Sequence, residues 1–219
     1  CQKKYVLEVL DTGFSTSKGA NFMKRFECEF SKYYDNYNAI SFVNGTATMH
    51  AALEGAGIGV GDEVIVPPLT MASTTLAVLQ ANASPVFCDI DPDTFQIEPD
   101  DLARKITEKT KAVITVAIYG GSPKLDLIRH ICNQNSLFML EDNAECFGAV
   151  YKNKLIGCYG DAASFSFQSS KHLTSGEGGV LIVKDNDLAD RVRRFQCLGY
   201  AGVGAKAPKI DKNKIQNPG

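Results

Sequence analysis

The order of apolar runs along the chain constrains the fold more than any other feature of the sequence. Short, almost continuously apolar runs alternate with segments of helical pattern, and they lie at 39–43, 63–67, 84–90, 112–119, 138–141, 162–167 and 179–183. Continuous rather than alternating apolar runs are typical of strands that are buried on both faces, and helical connections are typical of parallel strands. The order therefore predicts an α/β fold, a three-layer α/β/α sandwich with a mostly parallel sheet.

The chain has 219 residues, enough for one large domain with a small appendage. Aromatic residues and Met23 recur at three- to four-residue spacing before position 35, so residues 1–38 are predicted to be a loop followed by a helix that packs on that domain. The large domain is assigned to 39–200. Gly, Ala, Lys, Pro and Asn dominate 201–219, which predicts a linker there and suggests a fragment of a longer protein.

Composition narrows the class of partner. The formal net charge is −2, with no basic block, so neither a nucleic-acid footprint nor attraction to an anionic membrane is expected. The seven cysteines include no C-x-x-C pair and no Cys/His spacing typical of zinc, so no metal site is expected. Free thiols and the absence of a secretory leader predict a cytoplasmic protein. A small molecule is the expected partner.

The segment Asn44-Gly45-Thr46-Ala47 joins a predicted strand directly to a predicted helix. A small residue that allows close backbone approach, free N–H groups and the positive end of a helix dipole suit phosphate binding. Taken alone, the segment fits a tight turn with a Thr cap equally well.

Two further positions could carry chemistry. Glu141 and Asp142 end a predicted strand at the sheet edge where α/β proteins bind ligands, and a carboxylate there can hold a protonated ring nitrogen. Lys171 lies between an apolar strand and a Gly-rich turn, where desolvation would free its amine for a Schiff base. A helix cap or a surface ion pair for the carboxylates and a solvated loop for the lysine are the ordinary alternatives.

Taken together and in order, five segments resemble the DegT/DnrJ/EryC1/StrS family of pyridoxal-phosphate (PLP)-dependent nucleotide-sugar aminotransferases. The segments are Asn44-Gly45-Thr46-Ala47, then 61–68, 85–91, 141–145 and 164–179. The resemblance covers nearly the whole chain. It implies the large domain of PLP-transferase fold type I, with 201–219 leading toward a C-terminal small domain.

The resemblance also implies roles for individual residues. Lys171 would form the Schiff base with PLP and then carry protons, while Asp142 would keep the pyridinium nitrogen protonated. The amides of Thr46 and Ala47 and the hydroxyl of Ser166 would bind the phosphate. The full set implied to bind the cofactor is Gly45, Thr46, Ala47, Met71, Asp142, Glu145, Ser166 and Lys171.

Three positions depart from the usual family pattern. Met71 stands where an aromatic residue commonly stacks on the cofactor, and a thioether covers a ring with less area. Glu145 stands where Gln and His are also common, at a position that touches the ring or its 3′-oxygen; an ionised Glu there would be repelled by the phenolate. Ala117 replaces a frequent histidine.

The implied function is transfer of an amino group from glutamate to a keto group of a nucleotide-activated deoxysugar, by a homodimer. Lys171 favours transamination, because the dehydratase branch of the family carries His at that position; a shifted register would place His172 there. The alternatives are a PLP-dependent sugar dehydratase, another fold-type-I activity such as β-elimination, and a non-catalytic fragment that only binds partner subunits. A Rossmann dehydrogenase is disfavoured, because no G-x-G-x-x-G follows the first strand.

Overall fold

A seven-stranded sheet forms the centre of the computed structural model, which describes residues 2–13, 21–35 and 37–199. The predicted linker at 201–219 lies outside these residues. The strands are β1 (Asn38–Phe42), β2 (Glu63–Val66), β3 (Ser84–Phe87), β4 (Thr110–Val116), β5 (Phe138–Asp142), β6 (Val150–Tyr151), β7 (Lys154–Leu155), β8 (Ala162–Ser166) and β9 (Gly179–Val183).

The predicted parallel sheet is confirmed, with one antiparallel strand inside it. The order is β1-β9-β8-β5-β4-β2-β3, and all neighbouring strands are parallel except β9, which runs antiparallel to both β8 and β1. Strands β6 and β7 form a separate antiparallel hairpin that the sequence analysis did not predict. Because of its direction, β9 begins at the edge where β1, β5 and β8 end.

Helices cover both faces of the sheet. They are α1 (Gln2–Asp11), α2 (Phe22–Tyr33), α3 (Gly45–Gly55), α4 (Ala72–Gln80), α5 (Pro99–Lys105), α6 (Leu125–Gln134) and α7 (Asn186–Gln196). Within the described residues, no helix combines the length and apolar character that crossing a bilayer requires.

The prediction of a loop before the first helix was wrong, because residues 2–11 form helix α1. This helix has no buried residue, and its apolar side chains at Tyr5, Val6, Leu7 and Leu10 are exposed. It is held instead by exposed contacts with α2. Glu8 and Arg25 form an ion pair at 2.7 Å, and the rings of Tyr5 and Phe22 meet edge to face with centroids 6.2 Å apart.

The core explains why the strands read as continuous apolar runs. Neighbouring residues on a strand point to opposite faces, and here both faces are packed. In β4, Ile114 belongs to the cluster under α3, α4 and α7, whereas Val113 belongs to the cluster under α5 and α6. On the α2 side, Phe165 of β8 packs against Phe30 and Tyr34. Every position of the central strands is therefore apolar or paired.

The start of β9 touches the turn that leads into α3. A Cβ atom added at Gly179 would lie 2.5 Å from both the carbonyl carbon and oxygen of Asn44, and 2.8 Å from the Gly45 nitrogen. These are backbone atoms, which cannot swing aside as a side chain can. Only glycine fits here without moving the turn.

We expect Gly179→Ala to lower the free energy of unfolding by about 1–3 kcal/mol, because the added methyl group forces the Asn44–Gly45 turn outward. Chemical denaturation measures the change. Gly59→Ala is the matched control: its nearest contact would be the Ala81 carbonyl oxygen at an ordinary 3.6 Å. Equal stability of the two variants would contradict the close approach.

Candidate active site

A cavity of about 480 Å³ opens at the carboxyl edge of the sheet. It lies where β1, β4, β5 and β8 end, which is where open α/β sheets bind ligands. All eight residues predicted to bind the cofactor line this cavity except Ala47. The folding of the chain therefore gathers residues that lie up to 126 positions apart, from Gly45 to Lys171, around one space.

Asp142 lies at the end of β5 and is only 3% exposed. Thr74 donates its hydroxyl proton to Oδ2 at 2.8 Å, and the Ala144 amide donates to Oδ1 at 3.2 Å. Burial raises the pKa of the Asp142 carboxyl, while these two hydrogen bonds and the nearby Lys171 charge oppose the rise. Asp142 is therefore a buried carboxyl group fixed by two hydrogen bonds, and it is neither a helix cap nor part of a surface ion pair.

Glu141 faces away from the cavity, as the alternation along a strand requires. It is fully buried, and its carboxylate accepts the amides of Gly157 at 2.7 Å, Tyr159 at 2.8 Å and Gly160. Burial also raises the pKa of this carboxyl, and the amide hydrogen bonds oppose the rise. Of these two carboxyl groups, that of Asp142 faces the cavity. That of Glu141 accepts three amides and so holds the loop at 157–160 in place.

Lys171 follows β8 in the loop before β9. Its side chain is 17% exposed, and its Nζ lies 3.5 Å from Oε1 of Glu145. The Lys171 amide donates to the Gln168 carbonyl at 2.9 Å, which fixes the backbone of the loop. The side chain is therefore directed into the cavity and is mostly shielded from solvent, in contrast to the alternative of a solvated loop lysine.

The turn before α3 and the end of β8 form a narrow cradle. The Asn44 side chain caps α3 by accepting the Ala47 amide at 2.8 Å, which leaves the first-turn amides of Gly45 and Thr46 without an intrahelical partner. A Cβ atom at Gly45 would lie 3.1 Å from the Ser166 Cβ. Free amides, a hydroxyl and a helix N-terminus in one place suit an anionic group.

Ala47 is placed elsewhere. Its amide is occupied by the Asn44 cap, and the residue lines a second cavity with Ser41, His50 and Phe195. The Asn-x-x cap signal was readable in the sequence, because Asn is a preferred N-cap residue whose side chain accepts from the third residue after it. The predicted contact of the Ala47 amide with a phosphate accordingly finds no support in this arrangement.

Met71 reaches the cavity from the segment just before α4 and is 65% exposed. Two hydroxyl residues near it were missed by sequence reasoning. The Thr74 hydroxyl donates to Asp142. The Thr70 hydroxyl oxygen lies 2.9 Å from the Thr74 hydroxyl oxygen. The four-residue spacing of the two threonines places them on one side of the helix start, but such spacing is too common to have singled them out.

The remaining sequence candidates lie outside the cavity. His172 is exposed and lines only a very small space behind Lys171, and Ala117 is buried in the core. Among the residues that the structure describes, no group of three or more His, Cys, Asp or Glu side chains could hold a metal ion.

We expect Thr74→Val to lower the free energy of unfolding by about 1–3 kcal/mol at pH 7, because a buried carboxylate loses its hydroxyl donor. The raised pKa of Asp142 gives the sign of the pH dependence. Below about pH 4 the carboxyl is protonated in both folded and unfolded chains, so the loss is smallest there and grows as pH rises through the folded pKa. Denaturation at several pH values measures it.

Thr74→Ser is the matched control, because serine keeps the hydroxyl that donates to Asp142 and removes only a methyl group. Its stability should show little of this pH dependence. A pH-independent loss in Thr74→Val would mean that the hydrogen bond to Asp142 does not affect the charge on that carboxyl.

The chain is similar to known proteins over most of its length. The chain is 40% identical over 200 residues to GDP-perosamine synthase of Escherichia coli O157:H7, covering 91% of this chain and 55% of that protein. It is 42% identical over 196 residues to the spore coat polysaccharide biosynthesis protein SpsC of Bacillus subtilis, covering 90% and 50%. The chain therefore spans about half the length of the curated relatives it matches.

Solved structures share the fold. DesV of S. venezuelae, in complex with a ketimine intermediate, is 33% identical with a TM-score of 0.84, covering 90% of this chain and 53% of that one. NtdA of Bacillus subtilis with bound cofactor PMP is 29% identical with a TM-score of 0.81, covering 94% and 48%. Residues 1–213 match the model of one protein family, described as the DegT/DnrJ/EryC1/StrS aminotransferase family. The chain belongs to the DegT/DnrJ/EryC1/StrS aminotransferase family, whose members depend on PLP.

Proposed function

We propose that this chain is the cofactor-binding part of a PLP-dependent aminotransferase. In this proposal an amino group moves from glutamate to a keto group of a nucleotide-activated deoxysugar. The observation that carries the proposal is the pairing of a shielded lysine, Lys171, with a buried carboxyl group, Asp142, in one cavity. Membership of a sugar-aminotransferase family supports the same conclusion.

The residues around the cavity fit the cofactor. The close approach of Gly45 to Ser166 leaves amides and a hydroxyl for the phosphate, and Thr46 lies in the same first turn of α3. The thioether of Met71 lies at the cavity wall, where it would cover part of one ring face. At the other end, Asp142 would face the ring nitrogen. The two ends thus offer an anion site and a carboxylate, which matches a phosphate and a pyridinium.

When it is bound, PLP supplies an electron sink for the carbon that gains or loses the amino group. The protein contributes the rest. Asp142 would hold a proton on the ring nitrogen through a charge-assisted hydrogen bond, and Thr74 and Ala144 fix the orientation of its carboxyl. Lys171 Nζ would hold the cofactor, and its amine would take and return a proton inside the cavity. Its low exposure keeps bulk water from competing for that proton.

The sugar part of the proposal comes from the relatives. GDP-perosamine synthases, at 36–42% identity, are among the similar proteins, and a structural neighbour, DesI, was solved in the presence of its TDP-sugar product. On that basis we propose a nucleotide-activated sugar as the substrate of this chain. The amino donor that we propose is glutamate. A homodimer in the cytoplasm is the setting that we propose for it.

We expect borohydride reduction of the PLP-loaded protein to fix a pyridoxyl label on Lys171, and we expect Lys171→Ala to carry no label at that position. Peptide mapping by mass spectrometry locates the label. Lys32→Ala is the control, since Lys32 lies on the exposed surface of α2; it should label like the unsubstituted protein. A label spread over surface lysines would contradict the assignment of Lys171.

We expect Asp142→Asn to bind PLP but to transfer amino groups about 10- to 100-fold more slowly or worse. This range corresponds to the loss of one charge-assisted hydrogen bond, worth about 1.5–3 kcal/mol. Turnover of keto-sugar nucleotides with glutamate measures the change, and the visible absorption of the bound cofactor measures binding. Normal turnover in this variant would contradict the role proposed for Asp142. A sugar product that is deoxygenated instead of aminated would indicate the dehydratase reaction.

A further inference from the structure

Glu145 joins two segments of the chain that otherwise meet only across the cavity. Its Oε2 accepts the main-chain amide of Tyr119 at 2.9 Å, and its Oε1 lies 3.5 Å from Nζ of Lys171. The Glu145 side chain is 32% exposed and that of Lys171 is 17% exposed, so the bridge lies at the wall of the cavity and not in open solvent. Each carboxylate oxygen thus serves a different donor.

The Tyr119 amide is held in an unusual orientation. Tyr119 has φ 54° and ψ 24°, in the left-handed region, and Gly120 follows at φ 76°. A left-handed conformation costs free energy for a residue with a Cβ, and it persists where surrounding contacts favour it. One such contact is the hydrogen bond that the Tyr119 amide donates to Glu145.

The turn at 118–121 is also fixed from its other side. The Gln96 side-chain amide donates to the Ile118 carbonyl at 3.2 Å, and a Cβ atom at Gly121 would lie 2.6 Å from the Gln96 Nε2. Because the turn is packed this closely against a buried side chain, it cannot easily shift. The Tyr119 amide is therefore a rigid point of attachment for Glu145.

We propose that Glu145 is a positioning residue for Lys171: its carboxylate, anchored on the Tyr119 amide, holds the lysine amine in place within the cavity. The strained turn at 118–121 thereby sets where that amine stands. This inference rests on the proposed function, in which Lys171 bonds the cofactor. It assigns to Glu145 a partner in the protein in addition to the ring contact that the family resemblance implies.

The bridge requires a carboxylate. A carboxylate accepts on both oxygens, whereas a glutamine side chain has one acceptor oxygen and one donor NH₂ group. A glutamine at 145 that kept its oxygen on the Tyr119 amide, the shorter of the two contacts, would turn its NH₂ group toward the Lys171 amine. Because glutamine is common at this position in the family, a role limited to ring contact would tolerate Glu145→Gln well. A bridging role would not.

The second carboxylate near Lys171 does not replace this contact. The Lys171 charge lowers the pKa of Asp142, but the side-chain contact of Lys171 Nζ is with Glu145, and the Asp142 oxygens are oriented by Thr74 and the Ala144 amide. Glu145 is the carboxylate that lies within hydrogen-bonding distance of Nζ among the described residues. Glu145 therefore contacts the lysine amine, and Asp142 would contact the ring nitrogen.

The first measurement needs no cofactor. Hydrogen exchange of the Tyr119 amide, followed by NMR, should be at least about tenfold faster in Glu145→Ala than in the unsubstituted protein, because alanine has no acceptor for this amide. Glu54→Gln is the matched control, because Glu54 pairs with His50 at 3.3 Å and is 33% exposed, away from the cavity. It should leave the Tyr119 exchange rate unchanged. Unchanged exchange in Glu145→Ala would overturn the inference.

The second measurement is the rate at which added PLP is captured on Lys171, read from the borohydride-fixed label. We expect Glu145→Gln and Glu145→Ala to be slower by a similar factor, roughly three- to thirtyfold, with unfolding temperatures close to that of the unsubstituted protein. Tyr119→Asn should capture PLP at the normal rate, because Asn tolerates the left-handed conformation and keeps the amide.

These outcomes separate the inference from the proposed function. If Glu145→Gln captures PLP as fast as the unsubstituted protein, or if only Glu145→Ala is slow, the bridging role is wrong while the PLP function stands. If the unsubstituted protein gives no label on Lys171, the proposed function fails and this inference fails with it. Fast amide exchange combined with normal capture would likewise refute positioning.

Discussion

The arrangement of the site depends on two adjacent carboxyl groups buried at the end of one central strand. Burying a carboxylate costs several kcal/mol unless hydrogen bonds compensate, and each of these acids meets that cost in a different layer of the protein. Glu141 takes three amides from the loop at 157–160, and Asp142 takes a hydroxyl and an amide on the opposite face. A shift of β5 by one residue would exchange the two faces. The register of the central strand is therefore fixed by the acids as well as by the apolar residues around them.

The antiparallel strand β9 has a related effect on the other end of the cavity. Because β9 runs against β8, its first residue, Gly179, reaches the carboxyl edge of the sheet and contacts the Asn44–Gly45 turn. The same turn approaches Ser166 at the end of β8. The cradle before α3 is thus shaped by backbone-to-backbone contact, which few side chains can adjust. Its width is set by the sheet, and a ligand group must fit the space that the sheet leaves.

The sequence predicted the strands well because their runs are apolar on both faces, but the same property hid the direction of β9. A strand packed on both faces has the same residue pattern whether its neighbours are parallel or antiparallel. Helix α1 was missed for a different reason: residues 5–10 are apolar at every position except Glu8, so they form a run without helical spacing, and none of them is buried. At the site, Lys171 and Asp142 were singled out by the resemblance to the five family segments, because the place of each between strand and turn, taken alone, has an ordinary alternative. Thr74 could not be predicted, because a threonine that supports a carboxylate has the same local sequence as one that does not.

The departures from the family pattern make sense when they are considered as a set. Glutamine at position 145 would offer one acceptor, whereas Glu145 offers two and meets two donors, the Tyr119 amide and Lys171. An ionised Glu145 beside a phenolate oxygen would be repelled, yet an amine between the two would offset that repulsion. The exposed Met71 on the opposite wall adds no charge and adapts its shape easily. In the proposed site, whose ring contact at Met71 would be flexible, the lysine would be positioned by Glu145 through a turn that Gln96 contacts.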